Sequence, residues 1–222
     1  MRPLVILRPE PGAGKTAARA AELGLKTRVF PLFAPRALQW EAPAPERFDA
    51  LLLTSANAAR LAGEGLARYR KLPVYAVGQA TAKALEEAGF ADVVAGDGDG
   101  TAIARRIAAD GHGDVLHLAG RTVAPIDAGA LRIERVVVYE MLRTGDEGWA
   151  ERLEAGSVLL VHSPRAGELL ARHVGPGLRR SLHLIAISPA ALVACGTGWA
   201  SAQAPDKPDD ERMLALAVRL CE

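Results

Sequence analysis

The stretch LLLTSANA, residues 51–58, decides the class of fold. An aliphatic run ends in two hydroxyl residues, and an Ala-rich stretch of helical period follows. The stretch VLLVHSPRA, residues 158–166, has the same pattern of buried strand, hydroxyl turn and helix start. A second matched pair, VYAVGQAT at 74–81 and LIAISPAA at 184–191, lies at nearly the same offset. This self-similarity predicts an internally duplicated chain.

A third pair extends the match to the start of the chain. VILR at residues 5–8 corresponds to LHLAGR at 116–121, and each is expected to precede a helix and then an extended segment. The extended segments reach 33–38 in the first half and 140–144 in the second, long enough to bridge two lobes. Each half therefore supplies the same parts, and the residues alone leave the lobe boundary open.

Short aliphatic runs alternate with Ala- and Leu-rich helical stretches along the chain. The runs, typical of buried parallel strands, lie at 4–7, 50–53, 74–77, 93–94, 115–118, 136–139, 158–161 and 184–187. The helical stretches lie at 16–25, 56–69, 79–89, 101–110, 165–174 and 210–220. In 222 residues, of which 50% are hydrophobic and only 5% aromatic, this pattern predicts an α/β fold with an aliphatic core.

Charge and residue spacing exclude several classes of protein. The formal net charge is +1 and the basic residues are scattered, so we expect no nucleic-acid partner. No apolar run reaches the length of a signal peptide or membrane span, which predicts a cytoplasmic protein with no membrane partner. Cys195 and Cys221 lack CxxC spacing and the five histidines form no HxxxH or HxH pair, so no metal site and no redox role are expected. We also expect a monomer.

The stretch PGAGKT at residues 11–16 is similar to a phosphate-binding P-loop, because it follows a predicted strand and opens a predicted helix. The motif requires glycine five positions before Gly14, and that position is Pro9, which has no amide hydrogen. We therefore interpret the stretch as a plain loop with a helix cap rather than as the site of a nucleotide hydrolase.

Hydroxyl-bearing turns follow several predicted strands. They contain Thr54, Ser55, the stretch 78–81, Ser163 and Ser188. Ligands of open α/β sheets bind at the carboxyl ends of the strands, where helix N-termini offer free amides to carboxylates or phosphates. Each hydroxyl could equally serve only as a helix cap. Because the turns recur in both halves, we favour a binding site for a small anionic molecule in a cleft between two lobes.

Tyr139 ends the strand run VVVYE at residues 136–140 and could donate a proton from the sheet edge. A lone tyrosine is more often a residue at the rim of the core. Ser55 and Ser163 lack both a GxSxG context and recognisable histidine and acid partners, so covalent catalysis is not indicated.

Several motifs, in this order and spacing, resemble those of the uroporphyrinogen-III synthase family. They are LRP at 7–9, TSANA at 54–58, VGQATAKAL at 77–85, VYE at 138–140, VHSPRA at 161–166 and APDKP at 204–208. The resemblance covers essentially the whole chain. It implies two Rossmann/flavodoxin-like parallel-sheet lobes joined by a two-stranded β-ladder. The first lobe would be residues 1–32 with 146–222, the second 39–138, and the ladder 33–38 with 139–145.

The resemblance also implies a reaction. The family closes linear hydroxymethylbilane into a ring, inverts the last pyrrole and releases water, without a cofactor or metal, in tetrapyrrole and heme biosynthesis. Tyr139 is then the candidate acid that assists loss of hydroxide, although a phenol is a weak acid near neutral pH. Arg8 and Arg121 could bind substrate carboxylates or could equally form surface ion pairs. The full set of expected substrate-binding residues is Arg8, Ser55, Asn57, Gly78, Gln79, Thr81, Gly120, Arg121, His162, Ser163 and Ser188.

Two departures from the family pattern keep an alternative open. The family turn Ile-Gly-Pro-x-Thr-Ala is replaced here by ISPAAL at residues 187–192, so Ala191 stands in place of the threonine. Ser188 or backbone amides would have to compensate for the missing hydroxyl. The region from Gly120 to Ile133 is also short and leaves room only for a brief helix. The alternative is a non-catalytic bilobal binding or sensor protein for a polycarboxylate such as a tetrapyrrole.

Overall fold

Parallel strands and helices alternate along the computed structural model, which describes residues 2–144 and 148–221. The strands are β1 (Leu4–Ile6), β2 (Thr27–Val29), β3 (Phe33–Ala37), β4 (Ala50–Leu53), β5 (Val74–Val77), β6 (Val93–Gly96), β7 (Asp114–Gly120), β8 (Arg132–Arg143), β9 (Val158–Val161), β10 (His183–Ala186) and β11 (Ser201–Gln203). The α-helices are α1 (Gly12–Glu22), α2 (Ala56–Leu61), α3 (Gln79–Glu87), α4 (Gly100–Ala109), α5 (Pro164–His173), α6 (Pro176–Arg179), α7 (Pro189–Ala194) and α8 (Asp210–Cys221).

The strands form two sheets with the same spatial order. One sheet has the order β2-β1-β9-β10-β11, and all its pairings are parallel. The other has the order β3-β8-β7-β4-β5-β6, with parallel pairing from β8 to β6. The first sheet has the flavodoxin-like strand order 2-1-3-4-5. The second sheet has the same order when β3 is left out and its strands are counted from β7. The α/β class with two parallel-sheet regions is confirmed.

The strand order also confirms the matched pairs found in the sequence. Strands β1 and β7, β9 and β4, and β10 and β5 take equivalent places in the two sheets. The aliphatic runs form central strands because both of their faces are covered: every residue of β4 and β9 is buried. The chain therefore contains two copies of one set of strands, and the strands of the second copy follow one another along the chain in a permuted order.

Contacts divide the chain into two units, Met1–Ala34 with Arg143–Glu222 and Pro35–Leu142. This division does not separate a ladder from the two units, so the expected assignment of 33–38 and 139–145 to a ladder stays a prediction. Its boundary at Gly145 and Asp146 lies outside the described residues, as do Met1, Glu147 and Glu222.

Two predicted helices were wrong in extent or existence. The helix predicted over 56–69 ends at Leu61, because Gly63 has a φ of +66° and the following residues Gly63–Tyr69 form a 3-10 helix. No helix lies between Gly120 and Arg132, a segment that the structure describes in full. The predicted brief helix there is absent, so Arg121 does not begin a helix, whereas Arg8 shortly precedes α1.

Within the described parts of the chain, no helix is both long and apolar enough to cross a membrane.

Candidate functional site

The expected site residues follow the carboxyl ends of strands in both units. Ser55 comes shortly after β4, Gly78 directly after β5, and Gly120 is the last residue of β7. In the other unit, His162 directly follows β9 and Ser188 comes shortly after β10. Because the strands of each set are parallel, these ends meet at one edge of each sheet, which is where α/β proteins bind ligands.

Three expected binding residues are helix caps. The hydroxyl oxygens of Ser55, Ser163 and Ser188 accept hydrogen bonds from the N–H groups of Asn57, Ala166 and Ala191, at 3.2, 3.2 and 3.3 Å. These bonds satisfy one orphan amide at the start of α2, α5 and α7. Each hydroxyl still has its own hydrogen to donate, so capping and ligand binding are compatible.

The turn before α3 combines open backbone with a buried side chain. Gly78 has a φ of +78°, which favours glycine, and a Cβ there would meet nothing within 4 Å. Gln79 is exposed at the first position of α3, whereas Thr81 is only 3% exposed. Gly78 and Gln79 are therefore open to a ligand, and Thr81 lies in the interior.

The position of the missing family hydroxyl is also interior. Ala191 is 0% exposed, and its carbonyl oxygen accepts a hydrogen bond from the Cys195 thiol at 3.1 Å. A Cβ on Gly167 of α5 would lie 2.8 Å from the same carbonyl oxygen. Helices α5 and α7 thus cross closely here, and the absent hydroxyl would point into packed structure.

A polar cluster around Asp210 lies in the unit that contains β1 and β9. The Asp210 carboxylate accepts hydrogen bonds from the Thr16 hydroxyl at 2.9 Å and pairs with His162 Nε2 at 2.8 Å. Arg8 Nη1 is 3.4 Å from this carboxylate, and Arg19 Nη1 is 3.8 Å from it. Asp210 therefore connects two expected binding residues, Arg8 and His162, to the start of α8.

Hydrogen bonds and charges in this cluster favour the ionised form of the Asp210 carboxylate. Burial by itself raises the pKa of Asp210, but hydrogen bonds from His162 and Thr16 and the charge of Arg8 hold the pKa below its usual value. An ionised carboxylate can only accept, so Nε2 of His162 donates. Its Nδ1 is buried and has no hydrogen-bond partner among the described residues.

We expect Asp210→Asn to lower the free energy of unfolding by about 1 kcal/mol at neutral pH, because Arg8 and His162 lose an ionised partner that is partly screened by solvent. The folded-state pKa of Asp210 is lowered, so this stability is present above about pH 4 and is lost as the pH falls through the folded pKa. Urea unfolding at several pH values measures it. Glu211→Gln, which removes a 74% exposed carboxylate of the same helix, is the control; an equal loss in both variants would contradict the expectation.

Tyr139 and Gly120 are packed together at the end of β7. Tyr139 is 7% exposed, and a Cβ on Gly120 would lie 2.7 Å from its Cζ atom and 2.9 Å from its hydroxyl oxygen. Only a glycine permits this approach. Within the part of the chain that the structure describes, the Tyr139 hydroxyl makes no hydrogen bond, so it has a proton to give to a ligand.

The next residue along β8, Glu140, joins two arginines. Arg121 Nε donates to its carboxylate at 2.8 Å, and Arg36 Nη2 donates at 2.5 Å. These hydrogen bonds, from Arg36 first and then Arg121, hold the pKa of Glu140 below its usual value. Arg8 and Arg121 thus both form ion pairs, the alternative that the sequence left open, and ligand binding by them stays a prediction.

His117 is a buried histidine of β7 that the sequence did not single out. It is 2% exposed, and its Nε2 lies 3.1 Å from the Thr54 hydroxyl oxygen. Burial, aided by the charge of Arg135, lowers the pKa of His117 to about 4. It is therefore neutral at physiological pH.

The stretch that is similar to a P-loop is already helix from Gly12 onward. The N–H of Gly14 donates to the Glu10 carboxylate at 2.9 Å, and the N–H of Ala13 donates to the carbonyl of Pro9 at 3.1 Å. The amides that would hold a phosphate are therefore occupied, and a carboxylate stands where the phosphate would be.

The residues that hold the arginines and His162 were not predicted from the sequence, because the partners are far apart in the chain. Asp210 is separated from His162 by 48 residues, and Glu140 is separated from Arg36 by 104. Only the VYE motif drew attention to Glu140. The described residues contain no group of three or more His, Cys, Asp or Glu side chains that could hold a metal ion.

Comparison with known proteins gives a family. A family model described as uroporphyrinogen-III synthase HemD matches residues 14–215. The chain is similar to the crystal structure of uroporphyrinogen-III synthetase from Helicobacter pylori 26695, with 21% identity, a TM-score of 0.70 and coverage of 99% of this chain and 100% of that one. No curated protein sequence matches the chain.

A second solved structure has the same fold. It is a mutant uroporphyrinogen III synthase from the extremely thermophilic bacterium Thermus thermophilus, with 19% identity, a TM-score of 0.54 and coverage of 99% of this chain and 98% of that one. At these identities the two structures show the fold alone, whereas the match to the family model over residues 14–215 shows the family. The chain belongs to the uroporphyrinogen-III synthase family, the cyclising hydro-lyases of tetrapyrrole biosynthesis.

Proposed function

We propose that this chain cyclises hydroxymethylbilane with inversion of the last pyrrole ring and loss of water. The observation that carries the proposal is the Tyr139 hydroxyl, which makes no hydrogen bond to any described residue and lies over Gly120 at a strand's carboxyl end. It supplies a proton donor at the sheet edge, where helix N-termini and arginines suit a polycarboxylate.

Formation of the inverted isomer depends mainly on how the protein positions the substrate. Closure without inversion occurs spontaneously, so the protein must hold the acidic side chains of the substrate and present the substituted carbon of the last ring to the cation left by hydroxide loss. In the unit Pro35–Leu142, the groups proposed to hold carboxylates are the amides at the start of α2 and α3 together with Arg121. In the other unit, they are the amides at the start of α5 and α7 together with Arg8. Tyr139 donates a proton to the departing hydroxyl.

The test is a coupled assay. Freshly prepared hydroxymethylbilane is supplied, the products are oxidised, and the ratio of inverted to uninverted isomer is measured by chromatography. We expect the inverted isomer to dominate in proportion to the protein added. A ratio equal to the spontaneous background would remove the proposed function.

We expect Tyr139→Phe to slow formation of the inverted isomer about tenfold without abolishing it, because a phenol is a weak acid and positioning is retained. The rate is measured in the same coupled assay. Tyr75→Phe is the matched control, since Tyr75 is also buried in this sheet but its hydroxyl donates to Asp110 at 2.9 Å. A folded Tyr139→Phe variant with no activity would make the hydroxyl essential, and an unchanged rate would remove its role.

The burial of the Tyr139 ring favours one other function, a protein that binds a tetrapyrrole polycarboxylate without turnover. Tight binding of the oxidised product with the background isomer ratio would identify it. The net charge of +1 gives no overall field that would attract nucleic acid, so we also infer that the protein has no nucleic-acid partner. We further propose that it is a monomer. Light scattering on the purified protein that gives twice the chain mass would contradict the monomer.

A further inference from the structure

Glu140 is held between two arginines that face solvent. Its side chain is 15% exposed, whereas the side chains of Arg36 and Arg121 are 60% and 62% exposed. The carboxylate uses one oxygen for each arginine, with distances of 2.5 Å to Arg36 and 2.8 Å to Arg121. The acid is thus the fixed part of the cluster, and the two guanidinium groups are its accessible part.

The cluster carries more positive than negative charge. Two guanidinium groups and one carboxylate leave a net charge of one positive unit. Arg121 uses its Nε and Arg36 one Nη to hold Glu140, so most N–H donors of both guanidinium groups have no acceptor among the described residues. Unused, preoriented guanidinium donors with excess positive charge suit a second carboxylate, because guanidinium binds carboxylates through paired N–H groups.

The other unit contains a related arrangement. Arg8 lies two residues after β1 and Arg121 directly follows β7, and β1 and β7 are equivalent strands. Arg8 is also held by a carboxylate, that of Asp210. In both halves, therefore, a carboxylate from another element of the chain pairs with an arginine that follows the carboxyl end of the equivalent strand.

We propose that Arg36 and Arg121 form a binding site for one carboxylate arm of the substrate, and that Glu140 is the residue that positions them. This inference rests on the proposed function and names a subsite of it. Tyr139 and Glu140 are neighbours on β8 and point to opposite faces of the sheet. Because both residues lie near the carboxyl end of β7, a substrate with long acidic arms can meet the Tyr139 hydroxyl and place one arm against the guanidinium groups that Glu140 holds.

The test measures binding rather than turnover. The probe is the oxidised product, uroporphyrin III, titrated against the full chain with detection by its fluorescence. We expect Arg36→Gln and Arg121→Gln each to weaken binding about tenfold, the effect of one charge-assisted pair. Both residues are exposed, so the variants should fold, and a thermal melt checks this. Binding within twofold of the parent protein in both variants would overturn the site.

The matched control is Arg47→Gln. Arg47 is 57% exposed and pairs with Glu134 at 2.6 Å, and Glu134 lies on the same strand as Glu140, near its start. The Arg47→Gln substitution removes the same charge as the two test variants, but near the opposite end of β8. We expect binding to change less than twofold, and a tenfold loss there would mean that only overall charge matters, which would also overturn the site.

Glu140→Gln separates positioning from simple charge. The substitution raises the local net charge, so a site that works by charge alone would bind uroporphyrin III more tightly. A positioning role predicts the opposite, about threefold weaker binding, because glutamine cannot hold both guanidinium groups as a carboxylate does. Tighter binding would overturn the positioning role of Glu140.

The isomer assay of the unmodified protein keeps the two proposals distinguishable. A background isomer ratio together with the expected binding losses removes the proposed function and leaves a carboxylate site on a binding protein. An inverted product from the parent protein with unchanged binding in the arginine variants removes the subsite alone.

Discussion

Lowering the pH from about 7 to about 4 is expected to remove about 3 kcal/mol from the free energy of unfolding through His117 alone. In the unfolded chain the imidazole takes up a proton near its ordinary pKa of 6.5, whereas burial and the charge of Arg135 lower the folded-state pKa of His117 to about 4. Each unit of difference corresponds to about 1.4 kcal/mol.

The sign follows from proton counting. Between the two pKa values the unfolded state binds more protons than the folded state, so stability rises with pH in this window and falls as the solution is acidified. Below about pH 4 the folded protein protonates as well, and the contribution of His117 stops changing. Carboxylates with lowered pKa values, such as Asp210, act below this window.

Urea unfolding at a series of pH values from about 4 to about 8 measures the effect. In His117→Gln the fall in stability across this range should be smaller by about 3 kcal/mol, whatever the absolute stability of the variant. His173→Gln removes an exposed imidazole of α5 and controls for the loss of a histidine. Parallel pH profiles for the parent protein and His117→Gln would show that His117 protonates without unfolding the structure.

Much of the fold follows from local sequence because the parallel strands are buried on both faces. The runs at 50–53 and 158–161 have no polar residue, so their strand character is visible without knowledge of partners. The duplication then predicts which strands are equivalent. Strand β11 was missed because Ser201–Gln203 is a short edge strand without an aliphatic run.

The side-chain partners at the candidate site do not follow from local sequence. Glu140 is a single charged residue at the end of a strand motif, and only the pairing of β8 with its neighbours brings it to Arg36 and Arg121. The segment after Gly120 has length enough for a short helix, yet Ile126 packs against the core and the chain stays irregular. In these places tertiary contacts override local preference.

The burial of Tyr139 is the feature of the site that follows least well from sequence. The sequence allows Tyr139 to be either a proton donor at the sheet edge or a residue at the rim of the core. In the structure its ring is packed in the core and its hydroxyl lies at the end of a strand. The ring belongs to the same hydrophobic cluster as Leu53 and Leu118, while its hydroxyl lies at Gly120, the last residue of β7. The glycine is what allows the side chain to be packed and still lie at the strand end.

Gly120→Ala should therefore have a large effect on both stability and rate. The new Cβ would lie 2.7 Å from Cζ and 2.9 Å from the hydroxyl oxygen of Tyr139, closer than van der Waals contact allows. The ring cannot move freely because it is packed in the core, so overpacking should lower the free energy of unfolding by about 2–3 kcal/mol. Because the displaced hydroxyl no longer meets the substrate, the rate of inverted-isomer formation should fall about 30-fold.

A second substitution tests whether the clash with Tyr139 is the cause. In a Tyr139→Ala background the Cβ at residue 120 has no ring to meet, so Gly120→Ala should cost less than about 1 kcal/mol and reduce the rate no further. Gly113→Ala is the matched control, since this glycine directly precedes the same strand and its Cβ would meet only Asp49 Oδ2 at 3.6 Å. Equal losses from Gly120→Ala in both backgrounds would locate the strain at the register shift between β7 and β8, where Ala119 pairs with Val137 and Gly120 pairs with Tyr139. Tyr139 would then owe its position to the strand rather than to the missing Cβ.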